Sequence, residues 1–411
     1  MYENPAKQRA HLPTRAHKTK TCGKHAHLSA RTAPSARMQK VPFRTNKPTV
    51  GGRLHRRGVR AALLSAALLF LLCLLLTAPT RYAEACMQGI ALWAKAVLPV
   101  LFPFLVLTGL LTKLGAAQKL ADRLSPLTKK IGLPGCAAYC LLVSLLSGYP
   151  VGSRTVADLY RGGAVTREEA RRMSVLCSTS GPMFLVGSVG GAMFRSAAAG
   201  AVLLAAHLLA VIGVYLALYF AKRRKERKTP AVQKKPAFSD AQKNPAFPDT
   251  QKNPVPPDAL NKPDGTAAPQ NADGILAASV QSGVMTVLCV GGFIALFFVL
   301  TEALTDLHVL APLEVLLALP LSAADSEGAA AGFCAGLLEA TQGCAAIAAG
   351  GAPLALPLCA FLVTFGGGSI LAQQLAFLSG AGVKALPFLG IKTLQGIAAF
   401  LLCLVFCLFL F

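Results

Sequence analysis

The stretch Ser147-Gly148-Tyr149-Pro150-Val151-Gly152-Ser153-Arg154 (147–154) interrupts an otherwise apolar run from 132 to 157. Glycine and proline open a helix there, and hydroxyls and one arginine stand where a lipid-embedded helix would carry aliphatic residues. Unpaired backbone groups cost several kcal/mol each in hydrocarbon, so such a break persists only where protein or a water-filled cavity surrounds it. Three more interruptions share this build: STSGP (178–182), EATQG (339–343) and TFGGGS (364–369), the last followed by Gln373 and Gln374. Their occurrence in apolar segments reads as an all-α, polytopic integral membrane protein with broken and re-entrant helices.

Charge supports that class. Of 411 residues, 54% are apolar and 14% charged, yet the formal net charge is +23. Residues 1–60 hold fifteen Lys/Arg against one acid, and 222–274 hold eleven against six. The remaining body is nearly neutral. We divide the chain into a basic tail (1–60), a first membrane half (61–221), a linker (222–274) and a second membrane half (275–411). The linker repeats a nine-residue unit, QKKPAFSDA, QKNPAFPDT and QKNPVPPDA over 233–259, whose prolines keep it extended and solvated. Tail and linker read as disordered.

Basic loops place sides by the positive-inside rule. Lys113 to Lys130, Arg161 to Arg172, Lys222 to Lys225 and Lys384 mark the cytoplasm, whereas Glu302, Asp306, Glu314, Asp325 and Glu327 fit the outer side. Two basic loops flank 132–157, which makes that segment a re-entrant hairpin. Thr166 with Glu169 forms a capping box that starts a helix near Arg167. In the second half, 309–350 is expected to break at Pro312, Pro320 and Gly343, and 354–378 at Gly366-Gly367-Gly368. Each half then has a span, a broken hairpin, an interrupted span and a final span. The first enters from outside and the second from inside, which gives two inverted repeats behind an extra helix at 61–78.

The binding expectation follows from the breaks. Half-helix N-termini present free N–H groups and positive dipole ends to an anion. The candidate substrate-binding residues are Ser147, Gly148, Tyr149, Pro150, Gly152, Arg154, Ser178, Ser180, Gly181, Pro182, Glu339, Thr341, Gln342, Gly366, Gly367, Ser369 and Gln373. Arg154 either faces substrate or snorkels to the interface. Glu339 reads as a proton or cation carrier, or as a partner of Arg154. Lys95, Lys392 and His207 are weaker candidates, being single ionisable groups near span ends. No cofactor or metal is expected; the Cys22, His25 and His27 cluster lies in the tail. The basic residues lie outside any foldable unit, so the partners are an organic anion and the bilayer, not nucleic acid. A coupling proton or cation and a homo-oligomer are compatible with the reading. With no nucleophile–base pair visible, an enzyme is not expected.

At these same breaks the chain resembles a known family. LPVLFPFLVLTGLL (98–111), SGYPVGSR (147–154), TREEARRM (166–173), STSGPMFLVGSVG (178–190), GLLEATQGC (336–344) and FGGGSILAQ (365–373) look like the YlbJ-type sporulation integral membrane proteins, in the nucleoside-recognition gate group. The resemblance covers about 60–220 and 275–411; the tail and linker depart from it. It implies a multi-pass transporter in the outer forespore membrane that moves dipicolinic acid from the mother cell. The alternatives are transport of a nucleoside or other small solute, or a non-transporting scaffold.

Overall fold

A computed structural model describes residues 50–228, 272–322 and 328–410. The basic tail up to Thr49, the Cys22/His25/His27 cluster, the nonapeptide repeats, and Asp325 and Glu327 lie outside the described residues. Two compact units divide at Ala62. The described part of the first, Met1–Ala62, is the beginning of α1 (Val50–Thr77). The second, Leu63–Phe411, contains every site considered below.

Among the described residues the regular structure is helical throughout, and five helices are long and apolar enough to cross a membrane. The protein is a multi-pass membrane protein of the all-α class. In the first half, α2 (Pro79–Leu92) continues through a π-helical turn at Trp93–Val97 into α3 (Leu98–Lys113). Then come α4 (Ala116–Lys130), α5 (Ala137–Ser147), α6 (Tyr149–Arg161), α7 (Arg167–Leu176), a π-helical segment Phe184–Met193, and α8 (Ala197–Lys228). The second half has α9 (Ala272–Asp306), α10 (Ala311–Ser322), α11 (Ala329–Leu338), α12 (Ala340–Gly350), α13 (Ala355–Phe365), α14 (Gly367–Leu378) and α15 (Ala385–Leu410).

Local signals explain several boundaries. Proline in the first turn starts α2, where its missing N–H costs nothing. Thr166 caps α7 through the Glu169 N–H while the Glu169 carboxylate accepts from the Thr166 N–H at 2.8 Å, the capping box read from sequence. The expected breaks at Pro312, Pro320 and Gly343 are corrected. Pro312 sits in the first turn of α10, Pro320 lies inside that helix, and the chain bends at Glu339 instead. Gly343 lies within α12, where a Cβ would strike the Gly336 backbone of α11. Its absence lets the two arms of that hairpin close. Gly152 does the same for α5 and α6, standing against Ser144 and the Cys177 carbonyl.

Contacts fix the two ends of the bundle. α2 and α9 pack side by side, with Arg81 bridging Glu302 at 2.6 Å and Asp306 at 2.7 Å, and the Tyr82 hydroxyl donating to Asp306 at 2.9 Å. Trp93 Nε1 donates to the Val287 carbonyl at 3.1 Å farther along the same seam. At the opposite end Lys222 meets Glu168 at 2.8 Å, Arg172 donates to the Gly132 carbonyl at 2.9 Å, and the Tyr215 hydroxyl to that of Ile131 at 2.9 Å. The second end carries the basic loops on which the expected cytoplasmic side rests. The apolar core joins the halves: Leu185, Val189, Leu203 and Ala206 pack with Ile347, Leu358, Leu362 and Ala399.

Candidate functional site

All four interruptions meet at one cavity. The α5–α6 hairpin turns at Gly148 (φ 80°, ψ −167°), a conformation open to glycine, and a Cβ there would lie 3.1 Å from the Gly181 nitrogen. Thus the first break packs on the second. Gly367 stands equally close to the Gly336 carbonyl and the Ala340 N–H, so the fourth break packs on the third. Across the halves, the Tyr149 hydroxyl donates to the Val363 carbonyl.

The cavity is lined by Ser147, Gly148, Tyr149 and Pro150 of the first break and by Ser180 and Gly181 of the second. Glu339 and Thr341 come from the third, Ser369 from the fourth and Gln373 from beside it. Leu101, Phe104, Phe184, Thr286 and Ile294 complete the wall. Its volume is about 70 Å³. Sites for small molecules usually enclose roughly 300–1,000 Å³, so a drug-sized solute needs more room than this arrangement gives.

The remaining sequence candidates are not part of this lining. Gly152 and Gly367 serve close packing, and Gly366 supplies a left-handed turn (φ 98°) between α13 and α14. The Ser178 hydroxyl lies 3.4 Å from that of Ser153, and Pro182 follows Gly181 at the next helix start. The Gln342 N–H donates to Glu339 at 2.6 Å. Arg154 lies on the exposed side of α6, its side chain 68% exposed and 3.7 Å from Asp158. It does not pair with Glu339. The residues of α6 that turn inward are Tyr149, Gly152, Ser153, Val156, Ala157 and Leu159, away from Arg154.

Two residues given low weight in the sequence lie behind the cavity wall and bond the second break. Lys392, fully buried, donates to the Ser178 carbonyl at 3.0 Å, and its ammonium stands 5.1 Å from the Tyr149 ring centroid. This cation–π contact and the carbonyl offset part of the cost of a buried charge. His207 accepts from the Ser180 N–H at Nε2, 3.0 Å away, so its neutral ring carries the proton on Nδ1 and donates to Thr364 Oγ1 at 2.9 Å. Gln395, one turn beyond Lys392, donates to the Val175 carbonyl at 3.0 Å. The cation and the imidazole therefore tie the unwound second break to α8, α13 and α15, and the amide ties the end of α7 to α15. Lys95, by contrast, is exposed on the π-helical turn after α2.

The electrostatics of the cavity are uneven. Glu339 is the one charged side chain in its lining, and it is spent locally: its carboxylate caps α12 through the Gln342 N–H and receives the Thr341 hydroxyl at 3.0 Å. The N-termini of α6 and α14 have no side-chain cap. Ser180 lines the cavity, and its buried Oγ, beside Tyr149, has no hydrogen-bond partner of good geometry. An orphaned buried hydroxyl costs about 1–3 kcal/mol, a cost that a polar solute would remove.

Part of this site lies in a stretch that matches a known family. Residues 94–222 match the Gate (nucleoside recognition) family. The chain is also 28% identical, over 356 residues, to the sporulation integral membrane protein YlbJ of Bacillus subtilis (strain 168), covering 83% of this chain and 81% of that protein. No solved structure matches. The family resemblance read from the six motifs is borne out. The matched stretch holds the first two breaks, His207 and the Phe104 and Phe184 walls; Glu339, Ser369, Gln373 and Lys392 lie beyond it.

Proposed function

We propose that this protein transports a small organic dianion, dipicolinate (pyridine-2,6-dicarboxylate), from the mother cell across the outer forespore membrane during sporulation. The observation that carries the reading is the convergence of four helix breaks, two from each half, on one cavity. Each half contributes one broken hairpin, α5–α6 and α11–α12, and inverted repeats would exchange access from one side to the other. The uncapped N-termini of α6 and α14 offer N–H groups to carboxylates, as does the Ser180 hydroxyl. Lys392 adds positive potential from behind Tyr149. Glu339 is the proton carrier: on protonation it loosens its grip on the α12 cap, and it recovers that cap on release.

A second reading, transport of a neutral nucleoside, is favoured by one specific feature. The cavity lining holds a carboxylate and the Gln373 amide, with Phe104 and Phe184 for stacking, and no Lys or Arg. The test is uptake of labelled dipicolinate and labelled uridine into proteoliposomes. Our reading expects saturable dipicolinate uptake that uridine does not compete. Uridine uptake without dipicolinate uptake replaces it with the second reading.

A further inference from the structure

A second cavity, of about 570 Å³, opens at the cytoplasmic end of the bundle, away from the four breaks. Its walls are α7, the last turns of α8 and the first turns of α15. Five cations line it, Arg171, Arg172, Lys222, Arg223 and Lys384, against the single carboxylate Glu168. Lys222 takes up that carboxylate at 2.8 Å, and its hydrogen bond holds Glu168 below the usual carboxylate range, so the pair stays ionised. Among the described residues, no carboxylate lies within ion-pair distance of Arg171, Arg172, Arg223 or Lys384. Arg172 is held in place by the Gly132 carbonyl, and its Nε is buried without a partner.

The deeper wall is different in kind. Val175, Leu218, Phe388 and Ile391 replace charge by hydrocarbon within about two helical turns of the basic rim. Leu218 is 40% exposed beside them. The boundary falls where the apolar run of α8 gives way to Lys222, which is the level of the membrane–water interface. A basic rim over an apolar wall at that level matches an amphiphile whose charge is at one end. A soluble dianion would leave the apolar wall unused.

We infer that this cavity seats the headgroup of an anionic phospholipid of the cytoplasmic leaflet, its phosphodiester among Arg171, Arg172 and Lys384 and the start of an acyl chain along Leu218 and Ile391. Basic pockets between helices on the cytoplasmic side recognise such headgroups by charge-assisted hydrogen bonds. The assignment goes beyond the transport reading and stands or falls apart from it.

The test is native mass spectrometry of the full-length protein in detergent, titrated with phosphatidylglycerol or with phosphatidylcholine. The expected result is retained phosphatidylglycerol adducts, reduced roughly tenfold or more in an Arg171→Gln/Lys384→Gln double variant, with phosphatidylcholine retention unchanged. Both substituted residues are exposed, so the double variant keeps the fold while the Arg172 tether remains. Equal retention of the two lipids overturns the inference, as does phosphatidylglycerol binding that the double variant leaves intact. Displacement of the lipid by millimolar inorganic phosphate or dipicolinate overturns it too, assigning the cavity to soluble anions.

Discussion

The α5–α6 and α11–α12 hairpins have the same build and opposite chemistry. Each folds back at a single residue and closes on a glycine, Gly152 in one and Gly343 in the other. The first turns on Gly148, which leaves the N-terminus of α6 without a side-chain cap. The second turns on Glu339, an extended residue (φ −136°) whose carboxylate occupies the N-terminus of α12. One hairpin therefore offers an open dipole end to a solute, while the other carries an ionisable group already engaged. The difference assigns them separate tasks under our transport reading: the first binds an anion, and the second senses or carries a proton.

Substitutions at the two turns break this comparison most severely. Glu339→Gln keeps the volume and part of the cap but removes the ionisable group, so dipicolinate uptake by proteoliposomes is expected to be lost while the protein still folds. Uptake at the wild-type rate would show that the two hairpins do not divide the work. Gly148→Ala forces a side chain into a backbone region that tolerates essentially glycine alone, at a cost of about 1–3 kcal/mol. Thermal unfolding in detergent should show a lowered midpoint, and an unchanged midpoint would mean that the turn relaxes freely.

Smaller effects sharpen the picture. Lys392→Met removes the positive charge behind the first hairpin and leaves the Ser178 carbonyl unpaired. We expect dipicolinate uptake to fall roughly tenfold, with uridine unaffected where it is carried at all. An equal fall for both solutes would make Lys392 a packing residue. The smallest effect is expected at Arg154→Gln. The sequence left Arg154 either facing substrate or snorkelling to the interface; an exposed i,i+4 pair with Asp158 contributes about 0–1 kcal/mol, and uptake should change less than about twofold. Loss of uptake in this variant would restore Arg154 to the site.

Much of the site was legible in the sequence because the bilayer punishes irregular backbone. Gly, Pro and Ser inside apolar runs could be read as breaks, and ten of the candidates drawn from them line the cavity. The capping box at Thr166 and the acidic end of α9 were also readable, since each is a local pattern. Arg154 was overvalued because adjacency to a motif says nothing about helix face. The inward positions 149, 152, 153, 156, 157 and 159 place 154 away from them, and that spacing was available. Lys392 and His207 were undervalued because each is a lone ionisable residue in an apolar span, and their partners, Ser178, Ser180 and Thr364, are remote in the chain. The usable signal was Lys392 followed by Gln395, both two turns or more inside α15 and close on one helix face. The bend at Glu339 instead of Gly343 follows from a carboxylate able to cap a helix, which residue type alone did not distinguish from a buried carrier.

The central claim is that the four breaks form one transport site for a dianion. Its most direct test is the time course of labelled dipicolinate accumulation in proteoliposomes, comparing the wild-type protein with Ser369→Trp, which fills the cavity from the α14 side. The account predicts saturable accumulation above that of protein-free vesicles and its loss in the filled variant. Accumulation no greater than in protein-free vesicles, or undiminished transport with the cavity filled, would contradict it.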